Sequence, residues 1–499
     1  MSLFHRLNKA INRAILGKTK TPPAVRNPKS AIRNRIVFPG GRARSYDAAA
    51  TGRHFDTHFV EADSKDAQSL ISADLPTLRN RARYEIRNNA YAQGIVQTFA
   101  NDVVGTGPSL QVKTGDDKLN TKIENDFREW SELCDRAGRL SFAAMARLAI
   151  MQLMESGECL RLFQSDDASS IPVHLRLLMI EPDRLSSPWM ASAEKVRDGI
   201  EMDDYGKPIN YYILTKHPGS TYNMKPDDQE AIAADQVTHL FRVDRPGQIR
   251  GVPWITPSIP LFAQLRRYTL AVIDAAETAA GISAVMETDS PDAGAADVES
   301  MDEIELARNA MLTLPGGWKA HGFSAEQPPT TYKMFKAEIL NEIARPFNMP
   351  FNVAAANSSG YNYASGRLDW QVYFRAIVVI QSWLGLHFGD SAFFAWLREA
   401  SLIPGYLPSR QRLDRRNVTT EWFWTKKPHV DPIKEANAQH IRLKSLTTTL
   451  AEEYAQQGKD WERQVEQIAR ERKKLAELNL SIEDVASGAK RSYEDDSDE

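Results

Sequence analysis

The stretch TPSIPLFAQLRRYTLAVIDAAETAAGIS, Thr256–Ser283, reads as one long helix. Pro260 stands near its start, where a missing N–H and a fixed φ suit a first turn. From Pro260 to Ser283 such a helix spans about 36 Å at ~1.5 Å per residue. Arg266, Arg267, Asp274 and Glu277 interrupt its apolar run, so it is not read as a membrane span. The next residues, 284–330, are acidic at DVESMDEIE (Asp297–Glu305) and rich in Gly and Pro at LPGGWKAHGFSAEQPP (Leu314–Pro329). Then TTYKMFKAEILNEIARPF (Thr330–Phe347) reads as a second helix, with Met334, Ala337, Ile339, Leu340 and Ile343 as its apolar stripe.

Upstream, residues 74–104 have a helical pattern, with Asp74 as candidate N-cap and GTGP as stop chemistry. DDKLNTKIENDFREWSELC is a further helix. SFAAMARLAIMQLMESGECLRLFQ is a helix opened by Ser141, a break at Gly157 and a strand. Residues 160–245 hold short β-rich runs (CLRLFQ, VHLRLLMIE, INYYILTK, QVTHLFRV) between turn-formers, as in an antiparallel module joined by hairpins. Downstream of Phe347 comes an uncharged stretch, Asn352–Gly366, and then a long helix, GRLDWQVYFRAIVVIQSWLGLHFGDSAFFAWLREA. TEWFWTKKPHV resembles one more strand. Charged helices close the chain at DPIKEANAQHIRLKSLTTTLAEEYAQQ and DWERQVEQIARERKKLAELN. Strands and helices are segregated, so the fold class is α+β.

Of 499 residues, 42% are hydrophobic and 25% charged, which suits a folded chain of roughly two to four modules. The net charge of −3 excludes a basic nucleic-acid coat, and two cysteines provide no disulfide framework. The charge is uneven. Residues 1–45 form a basic arm with no acid before Asp47, and Leu3, Leu7, Ile11 and Ile15 recur along it as in a short amphipathic helix. The arm reads either as a disordered terminus or as a contact for nucleic acid or an acidic surface. SYEDDSDE (Ser492–Glu499) reads as solvated acidic tail. No signal peptide or membrane span is expected.

Catalytic spacing is not found. GKT at Gly17–Thr19 lacks the glycine and strand of a P-loop, and no His-Glu-x-x-His, Gly-x-Ser-x-Gly or Cys-x-x-Cys occurs. His174, His239 and His387 read as satisfied core histidines, the Asp pairs at 166–167, 203–204 and 227–228 as turn residues, and most tryptophans as core or interface. No metal, cofactor or catalytic residue is assigned. A structural or assembly role is favoured over the alternative, a nucleic-acid-processing enzyme with an unrecognised metal site.

Six stretches in order are similar to the lambda-type portal family of tailed bacteriophages. They are RNNAYAQGIVQTFANDVVGTGPSLQ (Arg87–Gln111), IEPDRL (Ile180–Leu185), GIEMDDYGKPINYYI (Gly199–Ile213), RPGQIRGVPWITP (Arg245–Pro257), NYASGRLDW (Asn362–Trp370) and DPIKEANAQ with the charged helix after it. Serine would be expected where Ala364 and Gly366 stand. The resemblance implies a ring, usually of twelve subunits, at one capsid vertex, through which double-stranded DNA enters and leaves. It implies as partners the terminase large subunit, a head-completion or adaptor protein, and the major capsid and scaffolding proteins, with no membrane. It implies location in the virion, with assembly in the host cytoplasm. Mapped on this chain, it gives an arm (1–45), a wing (46–255), a first stem helix (256–283), a clip (284–329) and a second stem helix (330–347). A tunnel loop (348–366), a long helix returning to the wing (367–430), and a helical crown with the acidic tail (431–499) complete it. The acids Asp297, Glu299, Asp302, Glu303 and Glu305 become a candidate docking patch in the clip, or a solvated helix face.

The expected loop suits a conduit. Tight DNA binders carry Lys and Arg, because phosphate neutralisation dominates affinity. Here Asn357, Ser358, Ser359, Asn362 and Ser365 offer exchangeable hydrogen bonds, Tyr361 and Tyr363 offer stiff surfaces, and Gly360 and Gly366 give backbone freedom. Arg367 either touches phosphate or caps the next helix against Asp369 or Glu338. The competing reading is an ordinary helix–helix connector, against which the length of the stretch counts.

Overall fold

The computed structural model describes residues 60, 62 and most of 64–480, leaving out 168–170, 189–194, 222–227, 282–284, 289–317, 322–330, 408–412, 426–431, 458, 460 and 479. The basic arm, the five clip acids and the acidic tail lie outside the described residues. The elements below belong to the unit Lys65–Glu499.

Two helices open it, α1 (Ala67–Asn88) and α2 (Ala90–Val104). This corrects the expected start at Asp74. Asp66 is the N-cap and accepts from Ser69 N at 3.0 Å, leaving Pro76 inside α1. The first turns survive the proline because tertiary bonds hold them. Gln68 Oε1 accepts from the Ile249 and Arg250 amides (3.0 and 3.1 Å), and Gln68 Nε2 donates to Asp198 Oδ2 at 2.6 Å. The expected single helix also breaks at Asn89, whose side chain caps α2 by accepting from Tyr91 N and Ala92 N. After β1 (Ser109–Lys113) come α3 (Asp117–Glu132) and α4 (Phe142–Ser156). Helix α4 begins at the expected cap, Ser141, and ends at Gly157 in the left-handed region (φ 85°).

The β-rich segment comprises β2 (Glu158–Ser165), β3 (Leu175–Ile180), β4 (Val196–Arg197), β5 (Ile200–Met202), β6 (Pro208–Leu214), β7 (Gln229–Ala233) and β8 (Val237–Phe241). It forms two antiparallel sheets, ordered β3-β2-β8 and β4-β5-β6-β7. Hairpin succession holds in the second sheet, whereas β8 returns across the whole segment to pair with β2. Side chains alternate across β2 with a period of two. Leu160 and Leu162 enter a small cluster with Ile200, Tyr211 and Ile213 of the second sheet. Cys159 enters the main core, formed with α1, α2, α4 and the later helices.

Helix α5 (Ile259–Gly281) matches the opening stretch within two residues at its end. Strands β9 (Val285–Thr288) and β10 (Trp318–His321) pair antiparallel and close the base of the excursion. Helix α6 (Tyr332–Ala344) then returns antiparallel to α5: Ser258 Oγ donates to Ile343 O at 2.7 Å at one end, and Tyr332 and Thr269 hydroxyls meet at 3.2 Å further along. Leu340 and Ile343 are buried on it, but Met334, expected in the stripe, is 65% exposed.

A four-residue helix α7 (Phe351–Ala354) precedes α8 (Tyr363–Leu384), a π-turn (Gly385–Gly389) and α9 (Asp390–Ala400). The π-turn packs on Trp422 of β11 (Thr419–Phe423), a strand that pairs with β1. A Cβ on Gly389 would lie 2.5 Å from the indole, so glycine is required there. The Trp422 Nε1–H and the Thr420 hydroxyl both donate to Asp390 Oδ1 at 2.8 Å. The expected penultimate charged helix is two, α10 (Pro432–Lys444) and α11 (Leu450–Gln456), before α12 (Trp461–Glu477). Thr449 and Glu452 explain the break: each side chain accepts from the other's amide (3.2 and 3.1 Å), a capping box that starts α11 anew.

Candidate channel loop and its supports

Between Ala354 and Tyr363 only residues 355–362 lie outside helix. This corrects two expectations. Tyr363, Ser365 and Arg367 belong to the first turns of α8, and the connector falls within the roughly two to eight residues usual between packed helices. Its length therefore no longer counts against a plain connector.

The connector is a compact, self-bonded tip. Asn357 N donates to Asn352 O at 3.0 Å, Ser359 N to Asn357 Oδ1 at 2.9 Å, and Tyr361 N to Ser358 O at 3.2 Å. Asn362 caps α8 by accepting from Ser365 N at 2.8 Å. Gly360 sits at φ 92°, where a glycine is needed, and Ala356 takes φ 49° without one. Asn357, Ser358, Ser359 and Gly360 are consecutive, uncharged and exposed. Tyr361 is half-buried; burial, followed by the charge of Asp369, raises its phenol pKa. Arg367 is exposed, and among the described residues no ion pair joins it to Asp369 or Glu338.

The tip stands on a rigid base. Phe347, Met349 and Ala354 are buried on one side of it. On the other, α8 is bolted to α2: the fully buried Tyr373 donates to Asp102 Oδ2 at 3.0 Å, and Gln381 Nε2 to Val103 O at 2.8 Å. Burial and the neighbouring Asp102 carboxylate hold the Tyr373 phenol protonated.

A second support lies where α4, β2 and residues 245–251 meet. Glu158, fully buried at the start of β2, accepts from Arg250 Nη2 (2.5 Å) and Nε, Arg79 Nη2 (2.6 Å), Gly251 N (2.9 Å) and His239 Nε2 (3.1 Å). Burial acts to raise its pKa, but Arg250, Arg79 and then His239 outweigh it and hold the carboxyl well below its ordinary value. Beside it Gly157 and Gly251 interlock: a Cβ on Gly251 would lie 2.1 Å from Gly157 O, and one on Gly157 2.4 Å from Val252 C. The node joins α1, β2 and the segment that leads into α5. Nothing in the sequence alone singled out Glu158; RPGQIRGVPWITP was noted, but its Arg250 and Gly251 had no partner until the chain folded.

The histidines divide. His239 is a satisfied buried residue, as expected, whereas His174 is half-buried and His387 exposed. Among the described residues no group of three or more His, Cys, Asp and Glu could hold a metal ion.

The chain matches the family model described as phage portal protein, lambda family, over residues 54–381. It is 26% identical over 509 residues to a probable portal protein of Halomonas phage phiHAP-1, covering 96% of this chain and 94% of that one. A solved chain from the neck of an empty GTA particle is 13% identical with TM-score 0.48, covering 73% of this chain and 88% of that one. A portal protein of the HK97 family from Corynebacterium diphtheriae is 12% identical with TM-score 0.29, covering 72% and 98%. Likenesses at such scores decide nothing about this chain. The family model spans about two thirds of the sequence, from before α1 to within α8, and on that match the chain belongs to the lambda family of phage portal proteins.

Proposed function

We propose that this portal protein assembles as a ring at one capsid vertex, with twelve copies the expected number, and that double-stranded DNA passes through its centre during packaging and ejection. The observation that carries the reading is the family match over residues 54–381. In this reading α5 and α6 form the stem, residues 284–329 the clip, the two sheets with α1–α4 the wing, and α10–α12 the crown. Residues 357–361, with Asn362, Tyr363, Ser365 and Arg367 at the base, face the channel. The exposure of Asn357–Gly360 and the lack of charge across residues 357–361 support this, since a ring would multiply any cation at the tip into a circle of positive charge that holds phosphate; Arg367, the one cation of the set, stands at the base. Terminase and a head-completion protein dock outside the channel, with Asp297, Glu299, Asp302, Glu303 and Glu305 as the acidic patch they meet, and capsid and scaffolding proteins surround the wing. The role is structural, which disfavours the nucleic-acid-processing alternative, and the site of action is the virion, after assembly in the host cytoplasm.

Deleting Asn357–Tyr361 tests it. The rigid base predicts normal rings with impaired packaging or retention of DNA. Loss of the ring itself would show that the tip is scaffold and overturn the conduit role.

A further inference from the structure

Helix α8 has two apolar faces. One, with Tyr373, Ile377 and Leu384, is buried. On the other, Leu368, Val372 and Val379 are 64, 54 and 69% exposed, and Arg375 shares their strip. Their spacing of four, three and four residues puts them on one side of a helix. The strip runs toward exposed Leu386 and a recess of about 330 Å³ lined by Val378, Leu386, Trp422 and Trp424. Single exposed aliphatic residues need no explanation, but an aligned strip marks a contact surface. Residues 364–400 are long and apolar enough to cross a membrane, yet half of their most apolar 18-residue stretch is buried in the protein and Arg367 and Arg375 are exposed, so lipid is a poor occupant.

A second strip lies on α5. Leu270 and Ile273 are 51 and 45% exposed, and Glu277 is exposed one turn further along the same side. Met334 and Phe335 of α6 are also exposed, but Phe335 packs its ring on Tyr268 at 4.9 Å, on another side of α5, so they lie outside this strip. The two strips differ in exposed charge: Arg375 stands within the α8 strip, whereas Asp274 and Glu277 stand at the end of the α5 strip, and Arg266, one turn before Leu270 on that side, is half-buried with its guanidinium over the Tyr84 ring. We propose that the α8 strip of one copy docks on the α5 strip of the next, with Arg375 facing Glu277. Unlike surfaces on one chain make a head-to-tail contact, which a suitable rotation closes into a ring. The α8 strip against itself would set arginine beside arginine. The inference rests on the ring reading above and assigns the surfaces that build it.

Cross-linking the full chain tests the contact. Cys134 and Cys159 are fully buried with thiols pushed up to about 12, so they do not compete for reagent. Ile273→Cys and Val379→Cys chains are assembled separately and together, then treated with a short bis-maleimide. Covalent dimers are expected only from the mixture, and a ladder of higher multimers from chains carrying both changes. Val372→Glu with Val379→Glu should lower the assembled fraction at least tenfold while leaving protomer melting unchanged. Val379→Cys chains linking to one another, or imaged rings whose mixture gives no link, would overturn this contact and leave the portal ring standing. Failure to form any oligomer, even with capsid and scaffolding proteins, would overturn both.

Discussion

Replacing Glu158 by glutamine removes the one carboxylate, among the described residues, that both Arg79 and Arg250 contact within hydrogen-bond distance. All three side chains are buried, at 0, 3 and 4% exposure. A glutamine also turns an NH2 group toward one of the donors that the carboxylate now accepts, from Arg79 and Arg250 on Oε1 or from Gly251, His239 and Arg250 on Oε2. Removing one member of a buried ion pair leaves an uncompensated charge and costs ~3–5 kcal/mol. That is a large fraction of the ~5–15 kcal/mol typical of a folded protein. The expected result is a lower urea midpoint with an unchanged slope, followed by tryptophan fluorescence of the protomer. The pH dependence is a second handle. A carboxyl whose folded pKa lies below its unfolded value stabilises above the unfolded value, and that stability is lost as pH falls through the folded one. Because Glu158 is held well below its ordinary value, its contribution is essentially complete above the ordinary carboxylate range and is lost progressively as pH falls from that range toward the lowered folded value. The substitution should therefore cost the same at pH 5 and pH 8, and the acid limb of the stability curve should flatten. A loss below ~1 kcal/mol at neutral pH would refute the claim that the two arginines depend on this carboxylate.

Three other outcomes follow from the geometry. Gly251→Ala should prevent native closure of the joint between Gly157 and Val252, costing at least the ~1–3 kcal/mol of an overpacked core; thermal melting reads it, and a wild-type midpoint would deny the interlock. Tyr373→Phe should lose ~0.5–1.5 kcal/mol by stripping Asp102 of its 3.0 Å donor, with rings still formed; calorimetry of the protomer checks it. Ser359→Lys should leave assembly intact but slow DNA transit in a way that added salt relieves, since screening weakens phosphate contacts; packaging rate against ionic strength is the readout.

Periodicity carried far in this chain. The α5 and α6 segments, the Ser141 cap, the Gly157 break and the strands β2, β3, β6 and β8 stand close to where residue pattern alone puts them. Local chemistry misled where distant partners decide. Asp74 looks like a helix start, yet Gln68 is bonded to residues 249 and 250 and to Asp198, and those bonds accompany a helix that begins earlier and runs through Pro76. The uncharged stretch after Asn352 looks like one long loop, yet Asn362 caps a helix inside it, shortening the exposed tip to a few residues. Strand β1 went unread because its partner, β11, stands some three hundred residues away.

The sequence by itself determined the α+β class, the order of helices and strands, the charge-free tip and, through six motifs in order, the family. Those properties reside in spacing and residue type, which act over a few neighbours. Only the tertiary structure decided that Glu158 gathers two arginines, a histidine and a glycine amide, that Gly157 and Gly251 need each other, and which side of α8 faces outward. A buried charge and a missing Cβ have no meaning until distant backbone closes around them, and a helix that is apolar on both sides does not reveal which side its own chain will cover.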